Sequence, residues 1–135
     1  MNYNRVVCFD LEMCCWNENG VGTTGEIIEI GLAEIDLAAG EIVKRAQYFV
    51  KPEKDEISLF CAELTGITPR KIEKQGRPLA EVIQSMVKNF GGSNKIYASW
   101  GAMTSFCLTS VEKRAFLSRS KSFSTLPPCI VFNIV

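Results

Sequence analysis

Two carboxylates, one residue apart, follow a short apolar run near the start of the chain, in the stretch VVCFDLEM over residues 6–13. On a strand, Asp10 and Glu12 would share one face about 6.6 Å apart, at ~3.3 Å per residue. Two like charges this close favour a cation between them, and Mg²⁺ prefers carboxylate oxygens. Two such ions can clamp the attacking and leaving oxygens of a phosphodiester displacement. An Asp-x-Glu pair at a strand end is also a common solvated surface, so the pair alone leaves both interpretations open.

The elements that would position this pair follow from the hydrophobic pattern, because alternation predicts strands and helical spacing predicts helices. Strands joined by a short turn should pair antiparallel, whereas a strand reached through a helical crossover should lie parallel to an earlier one. The pattern therefore predicts an α/β fold in which helices pack on a mixed sheet. The predicted strands are Arg5–Glu12, Glu26–Asp36, Glu41–Val50 and Lys95–Trp100, and the predicted helices are Ser58–Leu64, one that begins at Thr68-Pro69, and an amphipathic one over Leu79–Phe90.

Composition excludes several classes of function. The chain has 135 residues, which is the size of one domain. It contains no histidine, which excludes Ser-His triads and histidine zinc sites. Its net charge is zero, so it has no strong basic field. Its six cysteines form no Cys-x-x-Cys pair, and the adjacent Cys14-Cys15 suits neither an ordinary disulfide nor a tetrahedral zinc site. We expect reduced cysteines, a cytoplasmic location and no membrane span, since no apolar run approaches ~20 residues.

A glycine-rich segment offers a competing function. Residues 16–25 are polar and predict a loop, and within them GVGTTG (residues 20–25) matches the dinucleotide-binding pattern G-x-G-x-x-G. That pattern binds a pyrophosphate only where it leads into the N-terminus of a helix. The next segment, Glu26 to Leu32, is strand-like, so a connection between strands is the favoured interpretation.

The sequence changes character after Gly101. Residues 1–100 contain 11 basic and 14 acidic residues, whereas residues 101–135 contain 4 basic residues and 1 acidic residue. The latter segment is rich in serine and threonine, lacks helical periodicity and finishes in an apolar run. We therefore divide the chain into residues 1–101, which form the N-terminal part of a domain, and an atypical tail over residues 102–135.

Five segments, taken in order, resemble the DnaQ-like, DEDDh-type family of 3′→5′ exonucleases. The similarity is strongest to the branch of RNase T-like and Eri-like exoribonucleases, which trim the ends of small interfering, histone messenger and ribosomal RNA. It covers roughly residues 5–101, and Asp10-Leu11-Glu12 and Leu64-Thr65-Gly66-Ile67-Thr68 are its most specific pieces. The segments are FDLEMCCW, GEIIEIGLAEID, FVKP, ISLFCAELTGIT and YASWG.

The resemblance implies a ribonuclease H-like fold and two-metal hydrolysis, with Mg²⁺ or Mn²⁺, of the 3′-terminal phosphodiester of RNA or single-stranded DNA. It implies that Asp10 and Glu12 are catalytic metal ligands, and that Met13, Leu64 and Thr65 hold the terminal nucleotide. For Leu64 and Thr65, a purely structural role at the end of a helix and in its cap is an equally simple interpretation.

The sequence departs from this family at two motifs. The second acidic motif, W-G-x-x-Asp, reads Trp100-Gly101-Ala102-Met103-Thr104, so Thr104 replaces a metal-proximal aspartate. The general-base histidine of the third motif is absent. We therefore expect little or no activity from this chain and at most one weak metal site.

A shift of reading frame explains both departures. If one base was lost near codon 101 or 102, the restored frame reads GAC, an aspartate codon, across Met103 and Thr104. It also reads leucine across Phe106 and Cys107, which gives W-G-x-x-Asp-apolar-apolar-Leu. We therefore expect most of the tail to be out of frame, with natural divergence as the alternative.

Two other functions remain open at the level of sequence. The chain could be a non-catalytic module that binds nucleic acid or a partner protein, or a truncated product without a function of its own. Loss of the C-terminal helix would leave apolar sheet surface uncovered, and a homodimer or an aggregate could hide that surface.

Overall fold

The computed structural model describes residues 4–18, 21–91, 95–100 and 129–132. In this part of the chain, no helix is long and apolar enough to cross a membrane. The strands are β1 (Arg5–Glu18), β2 (Val21–Asp36), β3 (Glu41–Phe49), β4 (Lys95–Trp100) and β5 (Cys129–Phe132), and the helices are α1 (Leu59–Thr65), α2 (Pro69–Gln75) and α3 (Leu79–Phe90).

The five strands form one sheet in the order β3-β2-β1-β4-β5. Strand β4 pairs parallel with β1, in a register that runs from Arg5 opposite Lys95 to Phe9 opposite Ser99. Strands β2 and β3 are neighbours joined by a four-residue turn, which requires an antiparallel pair. The predicted α/β fold with a mixed sheet is confirmed.

Strand β5 has no counterpart among the predicted strands. It pairs parallel with β4, with Tyr97 opposite Cys129 and Trp100 opposite Phe132. The short run CIVF is rich in apolar and β-branched residues, which suit a strand. The pattern was too short to separate from the rest of the tail, whose residues 101–128 lie outside the described part of the chain.

The predicted loop over residues 16–25 was wrong where the structure describes it. Strand β1 continues to Glu18, and β2 already begins at Val21. The β-branched residues of VGTT favour extended backbone, and two neighbouring strands can continue to pair beyond the core they cover. Gly22 and Gly25 therefore lie in a strand and not in a loop, while Gly20 lies outside the described residues.

The chain divides into two compact units, and the first contains residues 1–10, 32–46 and 86–135. Its described core residues include one large aromatic side chain from the end of α3, Phe90, which is fully buried. Lys44 lies over the ring of Phe90, with its Nζ 4.8 Å from the ring centroid. The other buried apolar residues of this unit are Val7, Phe9, Leu32 and Ala98.

A buried carboxylate joins three strands of the first unit. Glu34, only 7% exposed, accepts a hydrogen bond from Lys95 Nζ at 3.0 Å, and Arg5 lies 4.0 Å from its other oxygen. Arg5 also pairs with Asp36 at 3.1 Å. Because a buried charge without its partner is costly, these contacts favour one alignment of β1, β2 and β4.

The second unit contains residues 11–31 and 47–85. Its core includes three free thiols, Cys14, Cys15 and Cys61. Burial raises the pKa of Cys14 to about 12 and is the main cause that raises the pKa of Cys15 to about 11. Cys14 and Cys15 are therefore protonated core residues, and all three cysteines are free thiols, in line with the expectation of reduced cysteines. The other buried members of this cluster are Ile28, Phe49, Ile67 and Ile72.

Glu26 and Asp55 form a reciprocal clasp in the second unit. The Glu26 carboxylate accepts hydrogen bonds from the backbone N–H groups of Glu53, Lys54 and Asp55 at 3.1, 2.7 and 2.7 Å. In return, the Asp55 carboxylate accepts from the Glu26 N–H at 2.7 Å. A side chain at Gly25 would collide with Asp55, so this close approach requires glycine. The clasp holds the loop before α1 against β2.

We predict that Glu26→Gln lowers the free energy of unfolding by about 1 to 2 kcal/mol at neutral pH, because the amide cannot accept all three backbone hydrogen bonds. Burial alone would raise the pKa of Glu26, but the backbone hydrogen bonds lower it more, so the net shift is downward. The stabilisation is therefore complete above the ordinary glutamate pKa and is lost as the pH falls through the lowered value.

Urea unfolding at several pH values tests this expectation. The difference between wild type and Glu26→Gln should shrink in acid, and the control Glu53→Gln, a change at an exposed side chain, should leave stability unchanged. A difference that stays constant as the pH falls would show that ionised Glu26 is not the stabilising form.

Candidate functional site

Asp10 and Glu12 lie on β1, as predicted, and their side chains alternate with that of Leu11. Asp10 is exposed and Glu12 is half-buried, whereas Phe9 on the opposite face is buried. The pair therefore occupies the accessible face of a strand whose other face lies in the core. A strand with one buried face holds two carboxylates in fixed positions.

The register of β1 and β4 determines what lies beside Asp10. Phe9 is opposite Ser99, so the next residues along the two parallel strands are Asp10 and Trp100. The W-G-x-x-Thr motif begins at Trp100, the last residue of β4. Thr104, which stands at the altered motif position, lies outside the described residues.

Helix α1 is attached to the part of β1 that follows Glu12. The hydroxyl of Ser58 donates a hydrogen bond to the carbonyl of Cys15 at 2.6 Å, and the thiol of Cys61 donates to the carbonyl of Met13 at 3.4 Å. These two contacts lie one helical turn apart, so they set both the position and the direction of α1 along the strand. Both contacts lie within the second unit.

Leu64 and Thr65 occupy the last turn of α1, and the structure assigns different surroundings to them. Leu64 is 67% exposed. The Thr65 hydroxyl donates to the carbonyl of Cys61 at 2.8 Å and accepts from the N–H of Ile67 at 3.1 Å. Gly66 ends the helix with a φ of 72°, in the left-handed region that favours glycine. The Thr65 hydroxyl therefore caps the helix, while the Leu64 side chain stays accessible.

The charge of Glu12 affects a neighbouring buried thiol. Its carboxylate raises the pKa of Cys15, behind the larger effects of burial and of the neighbouring Cys61. Met13, the residue after Glu12, is half-buried. Two carboxylates and a partly accessible thioether side chain therefore lie within four consecutive residues of β1, with Met13 on the opposite face from Asp10 and Glu12.

The described residues supply only part of a metal site. Within residues 4–18, 21–91, 95–100 and 129–132, no group of three or more His, Cys, Asp or Glu side chains is placed to hold a metal ion. Asp10 and Glu12 offer carboxylate oxygens, which suit a hard divalent cation. The pair fits one ion completed by water and is too small a donor set for two.

The fold defines the class of protein. A mixed sheet in the order β3-β2-β1-β4-β5, with parallel β1, β4 and β5, is the ribonuclease H-like arrangement. The RNase_T exonuclease family matches residues 7–102, which is most of the chain. The chain therefore belongs to this exonuclease family.

Individual relatives support the same assignment. Mouse ERI1 exoribonuclease 2 is 33% identical over 87 residues, which cover 64% of this chain and 12% of the mouse protein. The 3′-5′ exonuclease Snipper of Drosophila melanogaster is 31% identical over 84 residues, which cover 60% of this chain and 30% of the fly protein. The chain therefore spans less than a third of either relative.

A solved structure extends the comparison to three dimensions. The nuclease domain of 3′hExo, a DEDDh family member bound to rAMP, superimposes with a TM-score of 0.63 and 27% identity. The alignment covers 91% of this chain and 64% of that domain. The predicted family and fold are confirmed.

Sequence reasoning missed the residues that hold α1 in place. Ser58 combines two roles, since its hydroxyl also accepts from the N–H of Cys61 as the N-cap of α1. No glutamate or glutamine lies three residues after Ser58, so the sequence lacks the capping-box motif that would have identified Ser58 as an N-cap. The contact between the Cys61 thiol and Met13 had no signal in the sequence at all, because the two residues are 48 positions apart.

We predict that Ser58→Ala destabilises the chain by about 1 to 3 kcal/mol, because it removes an N-cap and a partly buried hydrogen bond to β1 together. Thr68→Ala is the matched control. Thr68 caps α2 in the same way, since its hydroxyl accepts a hydrogen bond from the N–H of Lys71.

Amide hydrogen exchange measures the outcome. Ser58→Ala should speed exchange over α1 and over Cys14-Cys15, whereas Thr68→Ala should affect α2 alone. Equal effects of the two substitutions on the β1 amides would contradict the attachment of α1 to β1 through Ser58.

Proposed function

We propose that this chain carries part of the active site of a DEDDh-type 3′→5′ exonuclease and that Asp10 and Glu12 are its metal-binding carboxylates. The observation that carries the proposal is the position of this pair on the accessible face of β1, level with the start of the W-G motif on β4. Family membership supplies the reaction class, hydrolysis of a terminal phosphodiester.

The roles of the residues follow from their chemistry. Asp10 and Glu12 would hold a divalent cation, Mg²⁺ or Mn²⁺, through carboxylate oxygens. When bound, such an ion supplies positive charge that stabilises the charge developing on a reacting phosphate. Met13 and the exposed Leu64 would contact the base or sugar of the terminal nucleotide, while Thr65 would act through the end of α1.

The substrate we propose is the 3′ end of RNA or of single-stranded DNA. The support comes from the relatives, two of which are named as an exoribonuclease and a 3′-5′ exonuclease, and from the neighbouring structure bound to rAMP. The chain has no net charge, so affinity would depend on the site itself more than on a general basic surface.

We further propose that hydrolysis by the 135-residue chain is strongly impaired. Thr104 stands where the family has an aspartate, and a hydroxyl cannot supply the negative charge that a carboxylate brings to a metal ion. The chain also contains no histidine, so the family's general base is not among its residues. Asp10 and Glu12 would then support one weakly bound ion.

A second candidate is a non-catalytic binding module. Helix α1 exposes Leu59 by 84% and Leu64 by 67%, which are high values for leucine. Exposed apolar side chains beside a strand end can contact a base or a partner protein without any hydrolysis. This candidate predicts binding that does not depend on Asp10.

A nuclease assay distinguishes these functions. The purified chain is incubated with end-labelled RNA and with single-stranded DNA in Mn²⁺, beside Asp10→Ala and the surface control Glu73→Ala. We expect at most slow shortening from the 3′ end, absent in Asp10→Ala and unchanged in Glu73→Ala. Equal shortening by wild type and Asp10→Ala would indicate a contaminant and would remove the proposed role of Asp10.

Calorimetric titration with Mn²⁺ tests the metal site without reference to activity. We expect one weak site in wild type and in Glu73→Ala, and none in Asp10→Ala. No heat of binding in the folded wild type would contradict the proposed metal site.

The coding DNA tests the proposed frameshift in the tail. Translation of the alternative frame downstream of codon 102 should give an open stretch that continues Trp100-Gly101 as Trp-Gly-x-x-Asp and later contains a histidine followed by an aspartate. An early stop codon in that frame would favour natural divergence of residues 102–135.

A further inference from the structure

Cys61 combines burial in the core of the second unit with a directed contact to β1. Its side chain is fully buried among the apolar residues of that core. Its thiol is a weak donor, and it donates to the carbonyl of Met13 at 3.4 Å. An apolar side chain of the same size would fill the same space but would not make this contact.

The hydrogen bonds to β1 give α1 a direction. Ser58, at the start of α1, contacts the carbonyl of Cys15. Cys61, three residues later in the helix, contacts the carbonyl of Met13, which lies two residues earlier in the strand. Residue numbers therefore rise along the helix as they fall along the strand, so α1 runs antiparallel to this part of β1. The last turn of α1 is directed back toward Glu12.

Helix geometry then gives the level of Leu64 along β1. At ~1.5 Å per residue, Leu64 lies about 4.5 Å beyond Cys61 along the helix axis. At ~3.3 Å per residue, the same length along β1 leads from Met13 back to a point between Leu11 and Glu12. Leu64 thus lies level with Glu12, and both residues belong to the second unit.

The last turn of α1, from Cys61 to Gly66, is closed by two hydrogen bonds. The Thr65 hydroxyl donates to the carbonyl of Cys61 at 2.8 Å, and the N–H of Gly66 donates to the carbonyl of Ala62 at 2.9 Å. The side chain of Leu64 is 67% exposed, so its own burial contributes little to holding it in place. The position of Leu64 therefore depends on the contact that Cys61 makes with β1.

We propose that Cys61 is a positioning residue for nucleotide binding, whose hydrogen bond to the carbonyl of Met13 holds Leu64 level with Glu12. At this level Leu64 can contact a nucleotide whose phosphate meets a metal ion bound by Glu12. The inference rests on the proposed function, which assigns to Leu64 a contact with the terminal nucleotide. Cys61 is buried and acts through Leu64. Without the thiol, Ser58 would still cap α1 and hold its start, but the last turn could shift along β1.

Binding of adenosine 5′-monophosphate in Mn²⁺ tests this role in the full chain. By calorimetry we expect Cys61→Ala to weaken nucleotide binding about threefold to tenfold, as for the loss of one hydrogen bond. Binding of Mn²⁺ alone should stay as in wild type. Cys61→Ser should restore the nucleotide affinity to within about twofold of wild type, because a hydroxyl can donate to the same carbonyl.

Ile72→Val is the matched control for stability. Ile72 lies in the same buried cluster as Cys61, so the loss of one methylene group should lower the urea midpoint without changing the affinity for the nucleotide. A loss of affinity in Ile72→Val as large as that in Cys61→Ala would show that core stability, and not the contact with Met13, determines nucleotide binding.

A double-mutant cycle with Leu64→Ala separates positioning from stability. If Cys61 acts through Leu64, Cys61→Ala should change the nucleotide affinity by less than about twofold once residue 64 is alanine. Fully additive effects of the two substitutions, an unchanged affinity in Cys61→Ala, or a failure of Cys61→Ser to restore binding would each overturn the positioning role.

Asp10→Ala distinguishes a failure of this inference from a failure of the proposed function. If wild type and Asp10→Ala bind the nucleotide equally well, the proposed metal site is wrong, and the cycle still decides the role of Cys61. If folded wild type binds no nucleotide, both proposals are overturned.

Discussion

The described fold depends on β1 being paired on both of its sides. A central strand satisfies its backbone hydrogen bonds through two neighbours, and here they are β2 and β4. The pairing with β4 is parallel and has a defined register from Arg5 to Phe9. Because a shift by one residue would exchange the two faces of β1, burial of Val7 and Phe9 also determines that Asp10 faces outward.

The ion pairs of the first unit reinforce this register at the start of the strands. Glu34 contacts both Lys95 and Arg5, and it is the one charged residue that is buried in the described part of the chain. A slipped strand would separate these charges while they remained buried, which is a costly arrangement. Ion pairs thus fix the register of β1 at its start, and burial of apolar side chains fixes the register as far as Asp10.

The second unit positions α1 by different means. Two hydrogen bonds attach the helix to the carbonyl groups of Met13 and Cys15, and the clasp between Glu26 and Asp55 restrains the loop that leads to it. The thiols of Cys14 and Cys15 in this core are protonated and act as small apolar residues. These hydrogen bonds therefore fix the position of α1 and of its exposed residue Leu64.

Local patterns were sufficient to predict most of the elements. Alternation predicted β1 and β2, and the spacing of Val82 and Phe90 predicted α3, because each of these patterns reflects burial of one face. The order of motifs predicted the family and the Asp10 and Glu12 pair. The pattern failed at residues 16–25, where strand pairing extends into a glycine-rich segment, and at Cys129–Phe132, where four residues join the sheet edge.

The sequence by itself determined the types of the elements, the family and the residues at its motif positions, since these depend on residue identity and on spacing along the chain. Only the tertiary structure decided the register that brings Trp100 level with Asp10, the anchoring of α1 through Ser58 and Cys61, and the different surroundings of Leu64 and Thr65. It also decided that Lys44 lies over the ring of Phe90. The physical reason is that these contacts join residues distant in the chain, and local pattern carries no information about which distant partner a polar group will meet.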